Sequence, residues 1–277
     1  MCGIAGLLDA PAGTDLAAAA RRMATSLIHR GPDDEGIWTD PAHGVALAHR
    51  RLAIIDVSPQ GHQPMHSASG RYVLAYNGEI YNFERIRAEL AAAGRAPRWR
   101  GHSDTEVLLA AVEAWGIEAT LARTVGMFAI ALWDRSAGTL TLARDRIGEK
   151  PLYYGRTGHG LVFASELKAI RALSGEVLAI DPPALAEYMQ FGYVPAPRCI
   201  HRGLAKLPAG HFVSLGTGHA DPSPRPYWQL GDMELPSLAA RLSSASDDDL
   251  IDGLHERLRE AVGLQMVSDV PLGAFLS

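Results

Sequence analysis

The sequence predicts an α+β fold in which antiparallel sheets are layered with helices. Strand patterns and helix patterns occur both early and late, without the strict alternation of a parallel βαβ fold. Residues 127–133 are almost continuously apolar, which is typical of a strand covered on both faces. Residues 139–143 alternate polar and apolar after a Ser-Ala-Gly turn, which predicts an antiparallel hairpin.

The first part of the chain is predicted to contain three strands and one helix. The elements are a strand at 2–8, a helix at 15–28, a strand at 45–55, a loop at 57–70 and a strand at 72–76. The helix has apolar residues at helical spacing, and Thr14 is its predicted N-cap. The loop is rich in Pro, Gly, Ser and His, which favours irregular structure.

Two more helices and a strand pair are predicted farther along the chain. The helices cover residues 82–93 and 104–115, and the strands cover 152–155 and 161–164. Ser103 and Glu106 match a capping box at the start of the second helix. Gly116 is the predicted stop signal of that helix.

The chain is predicted to hold one whole domain and the beginning of another. Residues 1–210 form the first domain, and residues 211–248 form a linker. Gly, Pro, Ser and Asp are frequent from residue 216 onward, which indicates loose packing. Residues 249–277 begin the second domain, with a helix at 249–266 and then a short apolar segment.

Composition excludes several classes of protein. The formal net charge of −5 gives no reason to expect nucleic acid or an acidic membrane as partner, and no apolar run approaches the length of a membrane span. Two cysteines are too few for a disulfide framework, so we expect the reducing cytoplasm. Neither a Cys-x-x-Cys pair nor a His-Glu-x-x-His motif occurs, and we predict no metal site and no cofactor in this chain.

The chemically distinctive residue is Cys2, directly behind the initiator Met1. Once Met1 is removed, Cys2 carries both a thiol and a free α-amine. That amine, with an ordinary pKa of about 8, is placed to act as base for the thiol. Gly3 and Gly6 leave room for a substrate to approach the backbone. The other interpretation is that Cys2 is a small apolar residue at the start of a strand, and the motif alone leaves both open.

Six segments, taken in order, carry a family resemblance. They are MCGIAG at 1–6, RGPD at 30–33, RRLAIID at 50–56, YNGEIYN at 76–82, SDTE at 103–106 and RDRIGEKPLYY at 144–154. Together they resemble the glutamine-hydrolysing asparagine synthetases, whose N-terminal half is a class II, N-terminal-nucleophile glutaminase. The resemblance implies a four-layer αββα sandwich, followed by a linker and the first elements of an incomplete α/β synthetase domain.

The resemblance also implies a reaction. The Cys2 thiol attacks the side-chain amide of glutamine, its α-amine transfers the protons, and a γ-glutamyl thioester forms before water releases glutamate. Asn77, through its side-chain amide, and Gly78, through its backbone N–H, would form the oxyanion hole. An Asn-Gly pair is also typical of a type I′ hairpin turn. A helix-like segment follows it here instead of a second strand, which favours the catalytic interpretation.

Three further residues are implied to hold the amino-acid part of glutamine, together with Asn77 and Gly78. Arg51 would bind the α-carboxylate in two-pronged fashion. Strand alternation alone does not distinguish Arg51 from its neighbour Arg50, and only the resemblance selects it. Glu79 and Asp104 would contact the α-ammonium. An acid in the first turn of a helix, such as Asp104, is favourable without any ligand, so a structural role remains the alternative.

Two further segments are open to more than one interpretation by pattern alone. Residues 30–33 are interpreted either as a mobile lid near the pocket or as an ordinary Gly-Pro turn. Residues 144–150 alternate in charge, which is typical of a solvated face with weak ion pairs. The resemblance places this second segment near the contact between the two halves, so we expect a structural or coupling role.

The resemblance implies glutamine as the partner of this chain. Aspartate, ATP and Mg²⁺ would belong to the synthetase half, and a homodimer is one expected assembly. Three alternatives stay open: another class II amidotransferase, such as the glucosamine-phosphate or phosphoribosylamine type; the same glutaminase serving a different acceptor; and a non-catalytic structural relative. YNGEIYN and KPLYY favour the asparagine synthetase type, and the intact Cys2, Arg51 and Asn77 favour a catalytic protein.

Overall fold

Two antiparallel six-stranded sheets form the centre of the computed structural model. The structure describes residues 1–174, 177–217, 223–232, 239–240 and 242–274. The strands are β1 (Gly3–Leu8), β2 (Asp34–Asp40), β3 (Val45–Arg51), β4 (Met65–His66), β5 (Tyr72–Ile80), β6 (Gly126–Asp134), β7 (Thr139–Arg144), β8 (Tyr153–Thr157), β9 (Gly160–Ala164), β10 (Leu204–Lys206), β11 (His211–Gly216) and β12 (Arg225–Pro226). The helices are α1 (Leu16–Thr25), α2 (Phe83–Ala92), α3 (Asp104–Trp115), α4 (Ile117–Arg123), α5 (Leu167–Ser174), α6 (Pro182–Phe191) and α7 (Asp247–Leu264).

The strand order places β1 and β5 beside the partner strands that hold them. The first sheet has the order β10-β8-β9-β1-β3-β2, and the second has the order β12-β11-β7-β6-β5-β4. β1 lies between β3 and β9 and is antiparallel to both. β5 pairs with β6 along its whole length, from Tyr72 opposite Asp134 to Ile80 opposite Gly126.

Alternate side chains of the central strands point to different cores, which produces four layers. Ile4 of β1 and Trp133 of β6 belong to the core between the two sheets. Leu7 of β1 belongs instead to the core with α1 and α5. Phe128 of β6 belongs to the core with α2 and α3. Both faces of each central strand are therefore covered, which explains the continuous apolar run of β6. The predicted αββα sandwich is confirmed.

The first helix begins one residue later than the predicted cap indicated. The N-cap of α1 is Asp15, whose carboxylate accepts a hydrogen bond from the Ala18 N–H at 2.9 Å. Thr14 instead donates its hydroxyl to the Pro11 carbonyl at 2.7 Å. The helix also ends at Thr25, three residues before the predicted end. The prediction of a Thr14 cap was therefore wrong, because the next residue offers a charged acceptor in the capping position.

Two strands differ in length from their predicted bounds. The strand predicted over 45–55 ends at Arg51, and the backbone beyond it turns into an irregular loop. The strand predicted over 72–76 continues to Ile80, so Asn77 and Gly78 lie inside β5. Neither residue forms a hairpin turn, since Asn77 lies opposite Ala129 of β6 and Gly78 lies opposite Phe128. Pairing with β6 overrides the turn preference of the Asn-Gly pair.

The cap of α3 is half of the predicted capping box. The Ser103 hydroxyl accepts a hydrogen bond from the Glu106 N–H at 3.2 Å, as predicted. The Glu106 carboxylate accepts from the backbone N–H groups of Arg100 and Gly101, at 2.9 and 3.1 Å. Glu106 thus organises the segment before the helix, and Gly116 ends α3 with a positive φ of 78°.

Several elements of the structure had no predicted counterpart. α4 follows Gly116 immediately, and β12 pairs with β11 at the edge of the second sheet. β11 lies at the start of the predicted linker and pairs with β7 over five residues, from Phe212 to Gly216. The division of the chain at residue 210 stays a prediction. Residues 218–222, 233–238 and 241 of the predicted linker lie outside the described residues.

The predicted C-terminal helix is present as α7, capped by Ser246 and Asp249. None of its residues is buried, and its predicted apolar stripe, including Leu254 and Leu258, is exposed. The last residues of the apolar segment after it, 275–277, lie outside the described residues. No helix in the described part of the chain has both the length and the apolar composition needed to cross a membrane.

Candidate active site

All six residues predicted for the site line one pocket. The cavity has a volume of about 370 Å³ and is lined by Cys2, Arg51, Asn77, Gly78, Glu79 and Asp104, among others. The predicted residues come from four separate stretches of the chain: the residue before β1, the end of β3, the last half of β5 and the start of α3. The fold therefore brings together residues up to about a hundred positions apart.

Cys2 lies directly before β1 and is held there by contacts with other segments. Its Sγ lies 3.4 Å from the Leu52 backbone N and 3.6 Å from the Leu52 carbonyl oxygen. The Cys2 carbonyl accepts a hydrogen bond from Arg30 Nε at 2.8 Å, and the Arg30 guanidinium also pairs with Glu166 at 2.9 Å. Burial raises the pKa of the Cys2 thiol. The thiol is therefore protonated at neutral pH and requires a base to become a nucleophile.

Residues 30–33, predicted as a lid or a turn, pack against the strands beside the pocket. Arg30 contacts the Cys2 carbonyl as described above. A Cβ on Gly31 would lie 2.4 Å from the Arg50 carbonyl carbon, so only glycine fits this close approach. The Asp33 N–H donates to the Arg51 carbonyl at 3.0 Å, and the Asp33 carboxylate accepts from the Ala53 N–H at 2.9 Å. These contacts hold the segment against the strands beside Cys2.

Asn77 offers a hydrogen-bond donor to the pocket. Its side chain is 1% exposed, and its Nδ2 atom is buried without a hydrogen-bond partner in the described part of the protein. A buried, unpaired donor is costly and calls for a functional explanation. Gly78 follows in the same strand, where a Cβ would lie 2.2 Å from the Met127 carbonyl oxygen. Glycine therefore allows β5 and β6 to pair closely at this point.

The structure distinguishes Arg51 from Arg50. The Arg51 guanidinium lines the pocket and donates to the carbonyls of Ser58 at 3.1 Å, Ile55 at 3.3 Å and Asp56. Arg50 is directed away, because β2 places Glu35 opposite it and the two side chains form an ion pair at 2.6 Å. The prediction that Arg51 rather than Arg50 lies in the pocket agrees with this arrangement.

The acidic side of the pocket is formed by Glu79 and Asp104. The buried Asp104 carboxylate accepts hydrogen bonds from the Tyr76 hydroxyl at 2.7 Å and from the Ile80 N–H at 2.9 Å. Burial raises the pKa of Asp104, although these hydrogen bonds oppose the shift. Burial and the nearby Asp104 charge also raise the pKa of Glu79. A cation bound between the two carboxyls would relieve this unfavourable concentration of negative charge.

Lys150 is a pocket residue that the sequence patterns did not indicate. It is 5% exposed, lines the cavity and donates from Nζ to Met1 Sδ at 3.4 Å. Burial lowers the pKa of Lys150, and the charge of Glu79 opposes that shift. Lys150 therefore adds a positive charge to the pocket wall, close enough to Glu79 for the two opposite charges to act on each other.

The segment before Lys150 is solvated on one side only: Ile147 and Glu149 are exposed, whereas Asp145 is buried, so the expectation of a solvated face holds in part. Asp145 is 0% exposed and accepts hydrogen bonds from the N–H groups of Phe128, Glu149 and Lys150, at 3.1, 2.9 and 3.0 Å. Arg144 donates to three carbonyls, including that of Lys150 at 2.7 Å. The charges satisfy the backbone of a tight turn, and that turn directs Lys150 into the pocket.

No cluster of three or more side chains suited to a metal ion occurs among the described residues. The pocket presents one thiol, two carboxyls that accept hydrogen bonds and several N–H groups that donate them, a set that suits a small zwitterion with an amide. An amino acid fits the charge pattern, since a guanidinium and a pair of carboxyls lie in one cavity of about 370 Å³.

Comparisons with known proteins show the family to which the chain belongs. A family model described as the glutamine amidotransferase domain matches residues 1–228. A Mycobacterium tuberculosis protein provisionally named asparagine synthetase (glutamine-hydrolysing) is 37% identical over 294 residues, covering 100% of this chain and 44% of that protein. The Bacillus subtilis asparagine synthetase (glutamine-hydrolysing) 3 is 34% identical over 281 residues, covering 100% of this chain and 43% of that protein. The chain thus spans less than half the length of these relatives.

One solved structure extends the comparison to the fold. The glutamine phosphoribosylpyrophosphate amidotransferase from B. subtilis matches with a TM-score of 0.61 at 19% identity. The match covers 82% of this chain and 50% of that one. At this identity the likeness concerns the fold alone.

Proposed function

We propose that this chain, which belongs to the glutamine amidotransferase domain family, hydrolyses glutamine to glutamate and ammonia through a thioester on Cys2. The observation that carries the proposal is the buried, unpaired Asn77 Nδ2 in the wall of the pocket that also contains the Cys2 thiol. A preformed donor of this kind suits an oxygen that becomes negative during the reaction.

The reaction divides into two halves at Cys2. The Cys2 α-amine takes the thiol proton as sulfur attacks the side-chain carbonyl carbon of glutamine, and the carbonyl oxygen becomes negative near Asn77 and Gly78. The amide nitrogen accepts the proton and leaves as ammonia, which gives the γ-glutamyl thioester. Water then loses a proton to the amine and attacks the thioester. The C–S bond breaks, and glutamate and the free thiol are released.

The charged side chains are proposed to hold glutamine in register. Arg51 binds the α-carboxylate with the N–H groups that its loop contacts leave available. Glu79 and Asp104 bind the α-ammonium, which lowers the pKa of both carboxyls from their raised values. Substrate binding and ionisation of the acidic pair therefore support each other.

The proposal requires that Met1 be removed, because only then does Cys2 carry the free amine. Met1 is 58% exposed in the structure. Intact-mass measurement of active protein should show a chain that begins with Cys2. Full glutaminase activity in a chain that retains Met1 would exclude the amine as the base.

The principal test is replacement of each free cysteine. Cys2→Ala should abolish glutamate release from glutamine, because the bond-forming atom is lost. Cys199→Ala is the matched control, since Cys199 lies in a separate core with α1 and α5 and is remote from the pocket lining. Incubation with an electrophilic glutamine analogue should add its mass at Cys2 alone. Glutamate release at the wild-type rate by Cys2→Ala would overturn the nucleophile assignment.

For the whole protein, we propose that the ammonia serves ATP- and Mg²⁺-dependent conversion of aspartate to asparagine. The names of the longer relatives support this proposal, and the chain covers 43% and 44% of two of them. The test is to supply a chain extended beyond Ser277 with glutamine, aspartate and MgATP. Asparagine should accumulate in proportion to glutamate. Glutamate release without asparagine would indicate a different acceptor.

The proposed compartment is the cytoplasm, because a reducing environment keeps Cys2 as a thiol. A homodimer also stays a prediction. Sedimentation of the purified protein measures its mass in solution and checks the second point directly.

A further inference from the structure

Three ionisable side chains join segments that are far apart in the sequence. Asp269, after α7, has its Oδ2 atom 2.6 Å from the Asp56 backbone N and 2.7 Å from His102 Nε2. The Asp269 N–H donates to the Ile54 carbonyl at 2.9 Å. We call Asp56, His102 and Asp269 the clasp. It holds residues after α7 against the loop that follows Arg51.

Asp56 is the buried centre of the clasp. Its side chain is 1% exposed and accepts hydrogen bonds from the His102 N–H at 3.0 Å and the Ser58 N–H at 3.3 Å. Its φ of 53° lies in the left-handed region, which non-glycine residues adopt only with local support. A Cβ on Gly101 would lie 2.1 Å from Asp56 Oδ2, so the neighbouring segment is shaped around this carboxylate.

The loop that follows Arg51 also holds the Arg51 side chain. The Arg51 guanidinium donates to the carbonyls of Ile55, Asp56 and Ser58. The clasp fixes Ile54 and Asp56 through their backbone carbonyl and N–H groups. The position of the guanidinium therefore depends on a loop shape that the clasp and its neighbours determine together.

The charges of the clasp residues favour the hydrogen bonds that join them. The hydrogen bond between His102 and Asp269 and the nearby Asp56 charge raise the pKa of His102, whereas the charge of Arg87 in α2 opposes the shift. Hydrogen bonds lower the pKa of both Asp56 and Asp269. His102 is thus charged in the clasp below its raised pKa, and the ion pair weakens as the pH rises through that value.

We propose that the clasp is a positioning device, through which the segment after α7 holds the Arg51 loop in the shape that binds glutamine. This inference rests on the proposed function, in which Arg51 binds the α-carboxylate. It adds that glutamine affinity depends on Asp269, a residue outside the pocket and more than two hundred positions from Arg51. A change in the backbone at Asp269 would reach the pocket through Asp56.

The test compares Asp269→Ala with Asp252→Ala, which removes the same charge from an exposed position on α7. In the full chain, Asp269→Ala should raise KM for glutamine about fivefold and leave kcat within about twofold, because the loop loses a coupling contact. Asp252→Ala should change neither constant. His102→Gln should raise KM at low pH and converge on the wild type at high pH, where His102 is neutral.

Amide hydrogen exchange over residues 52–58 gives a second readout that does not depend on catalysis. Asp269→Ala should speed exchange there relative to Asp252→Ala. An unchanged KM in Asp269→Ala, or a fall in kcat alone, would overturn the clasp proposal. If the wild-type chain releases no glutamate, the proposed function fails. In that case unchanged exchange at 52–58 overturns the clasp as well, and faster exchange supports it as a holder of the loop.

Discussion

The two walls of the pocket are built in different ways. Cys2, Asn77 and Gly78 lie in or beside paired strands, where the ladder with neighbouring strands fixes the backbone. Arg51 projects against an irregular loop, and its guanidinium is held by hydrogen bonds to loop carbonyls. We call these the strand wall and the loop wall.

This difference separates two requirements of the proposed reaction. Bond making and oxyanion stabilisation depend on small distances, which a sheet maintains better than a loop does. Binding of an α-carboxylate by a guanidinium tolerates adjustment, and a loop can couple it to other segments such as the clasp. Changes in the strand wall should therefore affect kcat, and changes in the loop wall should affect KM.

The largest effect after loss of the nucleophile is expected at Asn77. Asn77→Ala should lower kcat by about 10²–10³-fold with little change in KM, because one oxyanion donor is removed. Asn82→Ala makes the same change where the amide is fully used, between the Arg123 carbonyl and the Val125 N–H. That control should lower the free energy of unfolding by about 1–3 kcal/mol and preserve kcat. Steady-state kinetics and thermal unfolding of both variants measure the contrast, and equal kcat in both would remove Asn77 from the chemistry.

The next effect is expected on the loop wall. Arg51→Lys should raise KM for glutamine by about 10–100-fold with a smaller change in kcat, because an ammonium cannot reproduce the two-pronged contact. Arg50→Lys is the control, since Arg50 pairs with Glu35 outside the pocket. Glutamine titrations of the initial rate decide the outcome. A loss in kcat equal to that of Asn77→Ala would contradict the division between the two walls.

A smaller effect is expected from displacing the Arg51 guanidinium without removing it. A Cβ at Gly61 would lie 1.9 Å from an Arg51 terminal nitrogen, so Gly61→Ala must displace that group. We expect KM to rise about tenfold, as a misplaced contact would require. Gly158→Ala adds the same methyl group where no atom lies within 4 Å, and its kinetics should match the wild type. Identical KM values in the two variants would show that Arg51 does not need its observed position.

The smallest effect concerns the pH profile and Lys150. The Lys150 charge lowers the pKa of the chain's α-amine, which in the present chain belongs to Met1, and it also lowers the pKa of Glu79. Lys150→Met should therefore shift the acid limb of kcat/KM to higher pH by less than about one unit. Lys168→Met, which removes an exposed charge outside the pocket, should leave the limb in place. A shift to lower pH would contradict the assigned electrostatic role.

Much of the fold followed from local patterns, and the exceptions are instructive. The continuous apolar run at 127–133 predicted a strand covered on both faces, and β6 has cores on both sides. The Asn77-Gly78 pair has a local preference for turns, but its pairing partner on β6 lies about fifty residues away and was not readable from the pattern. Long-range pairing of this kind overrides local preference.

The family resemblance predicted more of the site residues than the sequence patterns did. Six residues predicted from the resemblance line one pocket, but spacing alone did not separate Arg51 from Arg50. That choice depends on the register of β2, which places Glu35 opposite Arg50. Lys150 was missed because its surrounding charges resembled a solvated surface. Only the burial of Asp145, which the sequence does not show, reveals that one side of the turn faces the interior.

The place of β1 in its sheet has a consequence for synthesis of the protein. β1 is translated long before its partner β9, which ends at Ala164, opposite Ala5. About 160 residues must therefore be translated before the nucleophile strand is enclosed on both sides. Until then β1 lacks its full set of neighbouring strands. If Met1 is removed as proposed, removal during synthesis would precede the enclosure of β1 between β3 and β9.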